Sequence, residues 1–95
     1  MSKLREAARD QSCVRCGKQD GTVVLAHYTG ARRMHYGGGF GIKCRDIFGA
    51  HLCGECHQWM DQLSREKSRK WEHSEEFQHF VLLTIKRLQD QGVLT

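Results

Sequence analysis

The stretch CGECHQWMD, from Cys53 to Asp61, joins two kinds of metal ligand in one short segment. Two cysteines at this spacing can share one tetrahedral Zn²⁺ through their sulfurs. A structural zinc site needs only the cysteines, yet His57 follows the second cysteine directly and Asp61 comes four residues later. If a helix begins near Gly54 or Glu55, both side chains project from one helix face, where they can hold Mg(II), Mn(II) or Zn(II). A surface His–Asp pair is the alternative.

A second cysteine pair, Cys13 and Cys16, has the same spacing as Cys53 and Cys56. Four thiolates from two such pairs predict a closed structural zinc site, with no open position for water. The fifth cysteine, Cys44, is expected to be a small apolar filler, although it could replace one ligand. The odd number of cysteines argues against a disulfide framework, and the βαβ pattern of a thiol redox protein is missing.

The composition bounds the class of protein. A chain of 95 residues forms one small domain, and small domains often need a metal for stability. We therefore expect a single domain over residues 1–95 with its core at about 10–64. No apolar run is long enough for a membrane span, and no signal peptide is evident, so we expect a cytoplasmic protein. The net charge of +4 is compatible with a polyanionic partner.

The first half of the chain predicts a helix, a strand and a loop in turn. KLREAAR, at residues 3–9, favours a short helix with Ser2 as its N-cap. TVVLAHY, at residues 22–28, is β-branched and apolar, which favours a buried strand. Residues 30–41 hold five glycines, which predicts a loop.

The last part of the chain predicts an amphipathic helix. Apolar residues from Phe77 to Leu88 recur at the spacing of one helix face, and Ser74 precedes them as a candidate N-cap. We expect this helix at about 75–91, with Gly92 as its stop. It would pack on the core or cover the site, and a dimer face is the alternative.

His27 ends the predicted strand at the edge of the glycine-rich loop. Taken alone, such a histidine is more typical of a satisfied core residue. The predicted zinc would, however, tie the start of the strand, after Cys16, to the start of the helix at Cys56. That arrangement could bring His27 and His57 into one pocket, where a histidine base beside a metal with open coordination forms a hydrolytic site.

These residues resemble the HNH nucleases, also called ββα-metal or His-Me finger nucleases, and most closely the YbcO-like family of prophage nucleases. The resemblance rests on LREAAR (4–9), VVLAHY (23–28), GIK (41–43), DIFGA (46–50) and the C-x-x-C-H-x-x-x-D pattern of residues 53–61. It implies a small α+β fold in which a ββα-metal core is stapled by a four-cysteine zinc knuckle. It also implies a metal-dependent DNA endonuclease in a bacterial or phage-infected cell.

The resemblance implies roles for single residues. His27 matches the general base that activates water, His57 the metal ligand on the helix, and Asp61 the second helix ligand of many members. The catalytic Mg(II) or Mn(II), or Zn(II), would bind the scissile phosphate and stabilise the leaving 3′ oxygen, giving 5′-phosphate and 3′-hydroxyl ends.

The sequence departs from the family pattern at two positions. Ala26 stands where many members carry an acidic metal ligand, and the middle asparagine of the motif is missing because the chain contains no asparagine. Asp46 is the best substitute, either as the residue that orients the His27 imidazole or as a third metal ligand. The incomplete motif keeps open a second hypothesis, a non-catalytic zinc module that binds nucleic acid or a protein partner.

Two basic clusters are the candidate DNA contacts, since phosphates are bound by Arg, Lys and backbone amides. A solvated surface is the alternative for each. No base-reading pattern is evident, so we expect a monomer or homodimer that recognises DNA by backbone and shape. The first cluster flanks the loop and the second follows the metal helix: Arg32, Arg33, Lys43 and Arg45; Arg65, Lys67, Arg69 and Lys70.

Overall fold

The computed structural model describes residues 3–94 and confirms the predicted small α+β fold. Ser2, the expected cap of the first helix, lies outside these residues. Short 3₁₀ turns at Arg33–Tyr36, Asp46–Phe48 and Lys67–Arg69 connect the main elements. The helices and strands are α1 (Lys3–Ala8), β1 (Val24–His27), β2 (Gly49–Leu52), α2 (Gly54–Ser64) and α3 (Lys70–Asp90).

The two strands form an antiparallel hairpin that places His27 opposite Gly49 and Ala26 opposite Ala50. The first strand is shorter than the predicted 22–28. Thr22 has left the strand, because its hydroxyl accepts a hydrogen bond from the Gly54 backbone N–H at 3.0 Å. A side chain at Gly49 would come within 2.6 Å of Leu25, so the glycine lets β2 lie close to β1 beside His27.

The helix predicted after Cys53 is present, with Cys53 at the N-cap position. Its buried residues, Cys56, Met60 and Leu63, recur at helical spacing and face the core. His57 is one residue further around the helix, and its N–H makes a first-turn hydrogen bond to the Cys53 carbonyl at 2.9 Å.

The C-terminal helix α3 begins at Lys70, so the predicted start at about 75 with a Ser74 cap is wrong. Ser74 lies inside the helix, where its hydroxyl donates to the Lys70 carbonyl at 3.0 Å and accepts from the Ala31 N–H at 2.8 Å. That contact with the loop replaces the capping role. Gly92, in the left-handed region with φ of 77°, follows the helix end as expected.

The apolar face of α3 packs on β2 and closes the core. Phe77, Phe80 and Val81 are buried with the hairpin residues Ala26 and Leu52. The predicted stripe from Phe77 to Leu88 is therefore a core face, although some of its members are only half-buried. None of the helices between Lys3 and Leu94 has the length and apolar character needed to cross a bilayer.

Candidate active site and zinc cluster

The four predicted zinc ligands come together. The sulfurs of Cys13, Cys16, Cys53 and Cys56 all lie within 4.8 Å of one another, and all but Cys16 are buried. The Sγ atoms of Cys16 and Cys53 are 3.7 Å apart. Tetrahedral Zn²⁺ with Zn–S bonds of about 2.3 Å separates its sulfurs by about 3.8 Å. The donor set therefore fits a structural zinc.

Backbone hydrogen bonds shape the first cysteine pair into a knuckle. The Gly17 N–H donates to the Cys13 carbonyl at 2.9 Å, and Gly17 has φ of 81°, a conformation that favours glycine. The Val14 N–H donates to the His51 carbonyl at 2.9 Å, which attaches the knuckle to β2. One cysteine pair is thus held by β2 while the other begins α2.

The pKa values of the cluster thiols are shifted in opposite directions. Burial raises the pKa of the Cys56 thiol to about 12, against the lowering effect of Arg15. Burial also opposes ionisation of Cys13, yet backbone N–H groups of Cys53, Cys16 and Arg15 lower its pKa to about 6. The Arg15 guanidinium lies 3.4 Å from the Cys56 sulfur and 3.8 Å above the Trp59 ring. This cation offsets part of the negative charge that four thiolates bring to a zinc ion.

Cys44 lies outside the cluster and packs in the core, as predicted for a filler. It is 3 % exposed, and its thiol contacts the Arg33 carbonyl at 3.4 Å. Burial raises the pKa of this thiol. Cys44 is therefore an unreactive core residue that helps to fix the glycine-rich loop.

His27 and Asp46 form a hydrogen-bonded pair beside this cluster. The Nε2 atom of His27 is 2.7 Å from Oδ1 of Asp46, and the Arg5 Nε donates to the same oxygen at 3.2 Å. Since a carboxylate only accepts, the His27 proton is assigned to Nε2. Nδ1 makes no hydrogen bond to the part of the chain that the structure describes, so its lone pair is free to accept a proton.

A cleft runs along both sides of His27. On one side, a cavity of about 360 Å³ is lined by His27, His57, Lys43, Arg5 of α1 and Arg9, which follows α1. The two histidines thus share one cleft. On the other side, a cavity of about 380 Å³ is lined by His27, Lys43, Arg33 and residues of the glycine-rich loop. His27 and Lys43 line both cavities, so they lie where the two meet.

Asp61 follows one turn after His57 on the exposed side of α2 but does not line the cleft. Burial lowers the pKa of His73, and the Asp61 charge acts in the opposite direction, which indicates that Asp61 lies close to α3. Ala26 is 2 % exposed in the core, so position 26 offers no route for a ligand to the cleft.

The protein supplies only part of the ligand set that a second cation would need. Within residues 3–94 the four cysteines are the one group of three or more candidate ligands, and no third side chain joins His57 and Asp61. Mg²⁺ commonly binds through one or two protein ligands, with phosphate oxygens and water completing its shell. Of the two predicted ligands only His57 lines the cleft, so a cation there would be held largely by substrate and water.

The basic residues predicted to contact DNA are divided between two surfaces. Arg33 and Lys43 line the cleft, whereas the Arg32 guanidinium lies 5.9 Å from the Trp71 ring and Arg45 is exposed beside Gly37.

The second basic cluster surrounds the turn between α2 and α3. Arg69 forms ion pairs with Glu66 and Glu72, which partly neutralise it. Arg65, Lys67 and Lys70 are exposed, and the Lys70 Nζ lies 5.0 Å from the Trp71 ring. None of these four residues lines the cleft at His27.

Sequence reasoning missed two residues of the cleft, Arg5 and Arg9. Their i, i+4 spacing was visible and indicates a basic face on the helix predicted at residues 3–9. That these two arginines lie in the cleft at His27 could not be predicted, because it depends on how α1 packs against β1.

The antiparallel hairpin, the helix that follows it and the four-cysteine cluster define a small α+β domain of ββα type, whose cysteines suit a structural zinc. A family model described as "Putative nuclease YbcO" matches residues 2–93, and the chain therefore belongs to this family, as its sequence segments predicted. Membership of a nuclease family implies a nucleic-acid substrate. No curated protein and no solved structure gives a significant match.

Proposed function

We propose that the protein is a metal-dependent DNA endonuclease that hydrolyses phosphodiester bonds in the cleft at His27. The observation that carries this proposal is the 2.7 Å contact between His27 Nε2 and Asp46, in a cleft that His57 and basic side chains also line. Membership of a nuclease family supports the reaction class.

His27 acts as the general base. Asp46 holds the proton on Nε2, so Nδ1 takes a proton from the water that attacks the phosphorus atom. The Asp46 carboxylate then stabilises the imidazolium that forms. General-base catalysis of this kind contributes about 10²- to 10⁴-fold to the rate.

His57 holds the catalytic cation, with Asp61 as the second ligand from the same helix. When bound, Mg(II), Mn(II) or Zn(II) supplies Lewis-acid stabilisation of the scissile phosphate and the leaving 3′ oxygen. The family resemblance suggests 5′-phosphate and 3′-hydroxyl products. The four-cysteine zinc is structural in this proposal, because a four-thiolate site has no open position for substrate.

The basic side chains of the cleft position the DNA backbone. Arg5 and Arg9 flank His27 on one side, and Arg33 does so on the other, with Lys43 between them. Phosphate contacts fix the register of a protein on DNA without reading sequence. The enzyme therefore recognises the backbone and shape of DNA, and its binding weakens as salt rises.

The test is nicking of supercoiled plasmid by the zinc-loaded protein with Mg(II) or Mn(II). We expect His27→Ala to lose about 10²- to 10⁴-fold in rate. The matched control is His79→Ala, which removes an exposed histidine of α3 outside the cleft and should nick like the wild type. Equal nicking by His27→Ala and the wild type would remove His27 as the base.

The burial of Ala26 favours a second candidate function, a non-catalytic zinc module that binds nucleic acid or protein. Position 26 supplies no acidic ligand, and within residues 3–94 no other side chain replaces it beside His57 and Asp61. One zinc per chain, no Mn(II) binding and DNA binding without nicking would select this candidate over the nuclease.

A further inference from the structure

The tip of the glycine-rich loop carries an apolar side chain that is almost fully exposed. Phe40 is 98 % exposed, and Met34 and Ile42 in the same loop are 75 % and 63 % exposed. Single exposed apolar residues are ordinary, but here three of the large ones in residues 3–94 lie within nine positions of sequence. Such a cluster indicates a binding surface.

The tip is a hydrogen-bonded turn. Gly39 and Ile42 exchange backbone hydrogen bonds of 3.0 and 3.2 Å across Phe40 and Gly41. Gly41, with φ of 67°, occupies the third position of this turn, where a side chain would be strained. The base of the loop is fixed as well, since the Gly38 N–H donates to the Arg33 carbonyl at 3.1 Å. Phe40 is therefore held out from the loop by backbone structure on both sides.

The tip of the loop also lies beside His27, the candidate general base. Gly39, Gly41 and Ile42 line the same cavity as His27 and the two cations that precede and follow the tip, Arg33 and Lys43. An exposed apolar side chain thus lies between two cations at the rim of the cleft. This arrangement matches DNA better than any other ligand. DNA presents phosphates to the cations and stacked bases to the apolar side chain.

We propose that Phe40 is a wedge that enters between two stacked bases of duplex DNA next to the scissile phosphate. Apolar wedges of this kind unstack a base step and kink the duplex. The proposal rests on the nuclease function and names its substrate: duplex DNA at a step that is easily unstacked, such as a mismatch or a pyrimidine–purine step. Arg33 and Lys43 would hold the backbone on either side of the kink.

The experiment uses the full chain in the His27→Ala background, which binds without cutting. The probe is a short duplex with 2-aminopurine beside a mismatch, whose fluorescence rises when the base is unstacked. We expect the signal to rise on binding and to be lost when Phe40→Ala is added, with affinity falling about tenfold or more. Phe40→Leu should keep the signal. The control is Leu82→Ala, which removes an exposed apolar side chain from α3 and should change nothing.

The outcomes separate this proposal from the nuclease function. An unchanged signal and affinity in the Phe40→Ala protein, together with nicking by the wild type, would overturn the wedge and leave the function standing. A dimer that Phe40→Ala converts to a monomer without any change in DNA binding would make the tip a subunit contact. No DNA binding and no nicking by the wild type would overturn both proposals.

Discussion

The four-cysteine cluster and the cleft at His27 meet at the first turn of α2, but they are built in opposite ways. The cluster takes all its ligands from two short cysteine pairs, and three of the four cysteines are buried. The cleft takes His27 from β1, Arg5 from α1 and His57 from α2, it stays open, and Asp46 joins it from a turn through its contact with His27. A complete donor set closes on its metal and stabilises the fold, whereas an incomplete one leaves coordination positions for substrate and water.

The two sites share a boundary between adjacent residues. Each step along an α-helix turns the side chain by about 100°. Cys56 therefore faces the buried sulfur cluster, while His57, the next residue, is half-buried and lines the cleft. One short helix thus serves a structural site with one side and the candidate catalytic site with another.

The largest effect is expected from the removal of one cysteine of the cluster. Cys53→Ala should leave the protein unfolded, because structural zinc supplies about 10–16 kcal/mol that is coupled to folding. Far-UV circular dichroism and zinc content measure this loss. The matched variant is Cys44→Ala, which deletes a buried thiol outside the cluster and should cost about 1 kcal/mol while keeping the zinc. Similar unfolding by both variants would contradict the assignment of the four ligands.

The next test asks whether an acidic residue at position 26 can complete the open site. Ala26→Asp would bury a carboxylate in the core, so it should destabilise the fold by about 3–5 kcal/mol and give no gain in nicking. The control is Val24→Asp on the same strand, where the side chain is 46 % exposed and the cost should be about 1 kcal/mol or less. Thermal unfolding measures both. Higher activity from a stable Ala26→Asp protein would mean that position 26 faces the metal.

Asp46→Asn tests the pair within the cleft. The amide keeps the size of the side chain but removes the charge that stabilises the protonated His27, so nicking should fall about 10- to 100-fold. Thermal stability should change little, since Asp46 is only half-buried. Retained Mn(II) affinity would support the orienting role, and a parallel loss of Mn(II) binding would make Asp46 a metal ligand instead.

Arg5→Ala should have the smallest effect. Arg5 donates to Asp46 from the exposed side of the cleft, with 55 % of its side chain exposed, so solvent screens the ion pair. We expect a loss of a few-fold in nicking that shrinks at higher salt, because salt screens the deleted contact in the wild type as well. Lys86→Ala, a charge deletion on α3, is the control. An effect as large as that of Asp46→Asn would give Arg5 a direct part in the reaction.

The sequence predicted what depends on spacing between near neighbours. The two cysteine pairs, the helix after Cys53 and the strand that ends at His27 all follow from short patterns, and the structure contains them. The start of α3 was missed because Ser74 followed by two glutamates is typical of a helix cap. The buried contact of Ser74 with Ala31 overrides that local signal.

Contacts between distant segments of the chain could not be predicted from the sequence. The approach of Arg5 to Asp46 joins positions 41 residues apart, and no periodicity encodes it. The sequence left Asp46 either to orient His27 or to bind metal, and the 2.7 Å contact with Nε2 favours the first role. The metal-binding role of Asp61 stays a prediction, because its position one turn after His57 is the same for a metal ligand and for a surface residue.

We propose that α2 serves two metal sites, one closed and one open. The direct measurement is anomalous X-ray diffraction from crystals of the zinc-loaded His27→Ala protein with a DNA oligonucleotide and Mn(II). We predict a zinc peak among the four cysteine sulfurs and a separate manganese peak at His57 and Asp61, in contact with a DNA phosphate. A zinc peak alone, with DNA bound and no manganese at His57, would rule out the second metal site and favour a non-catalytic zinc module.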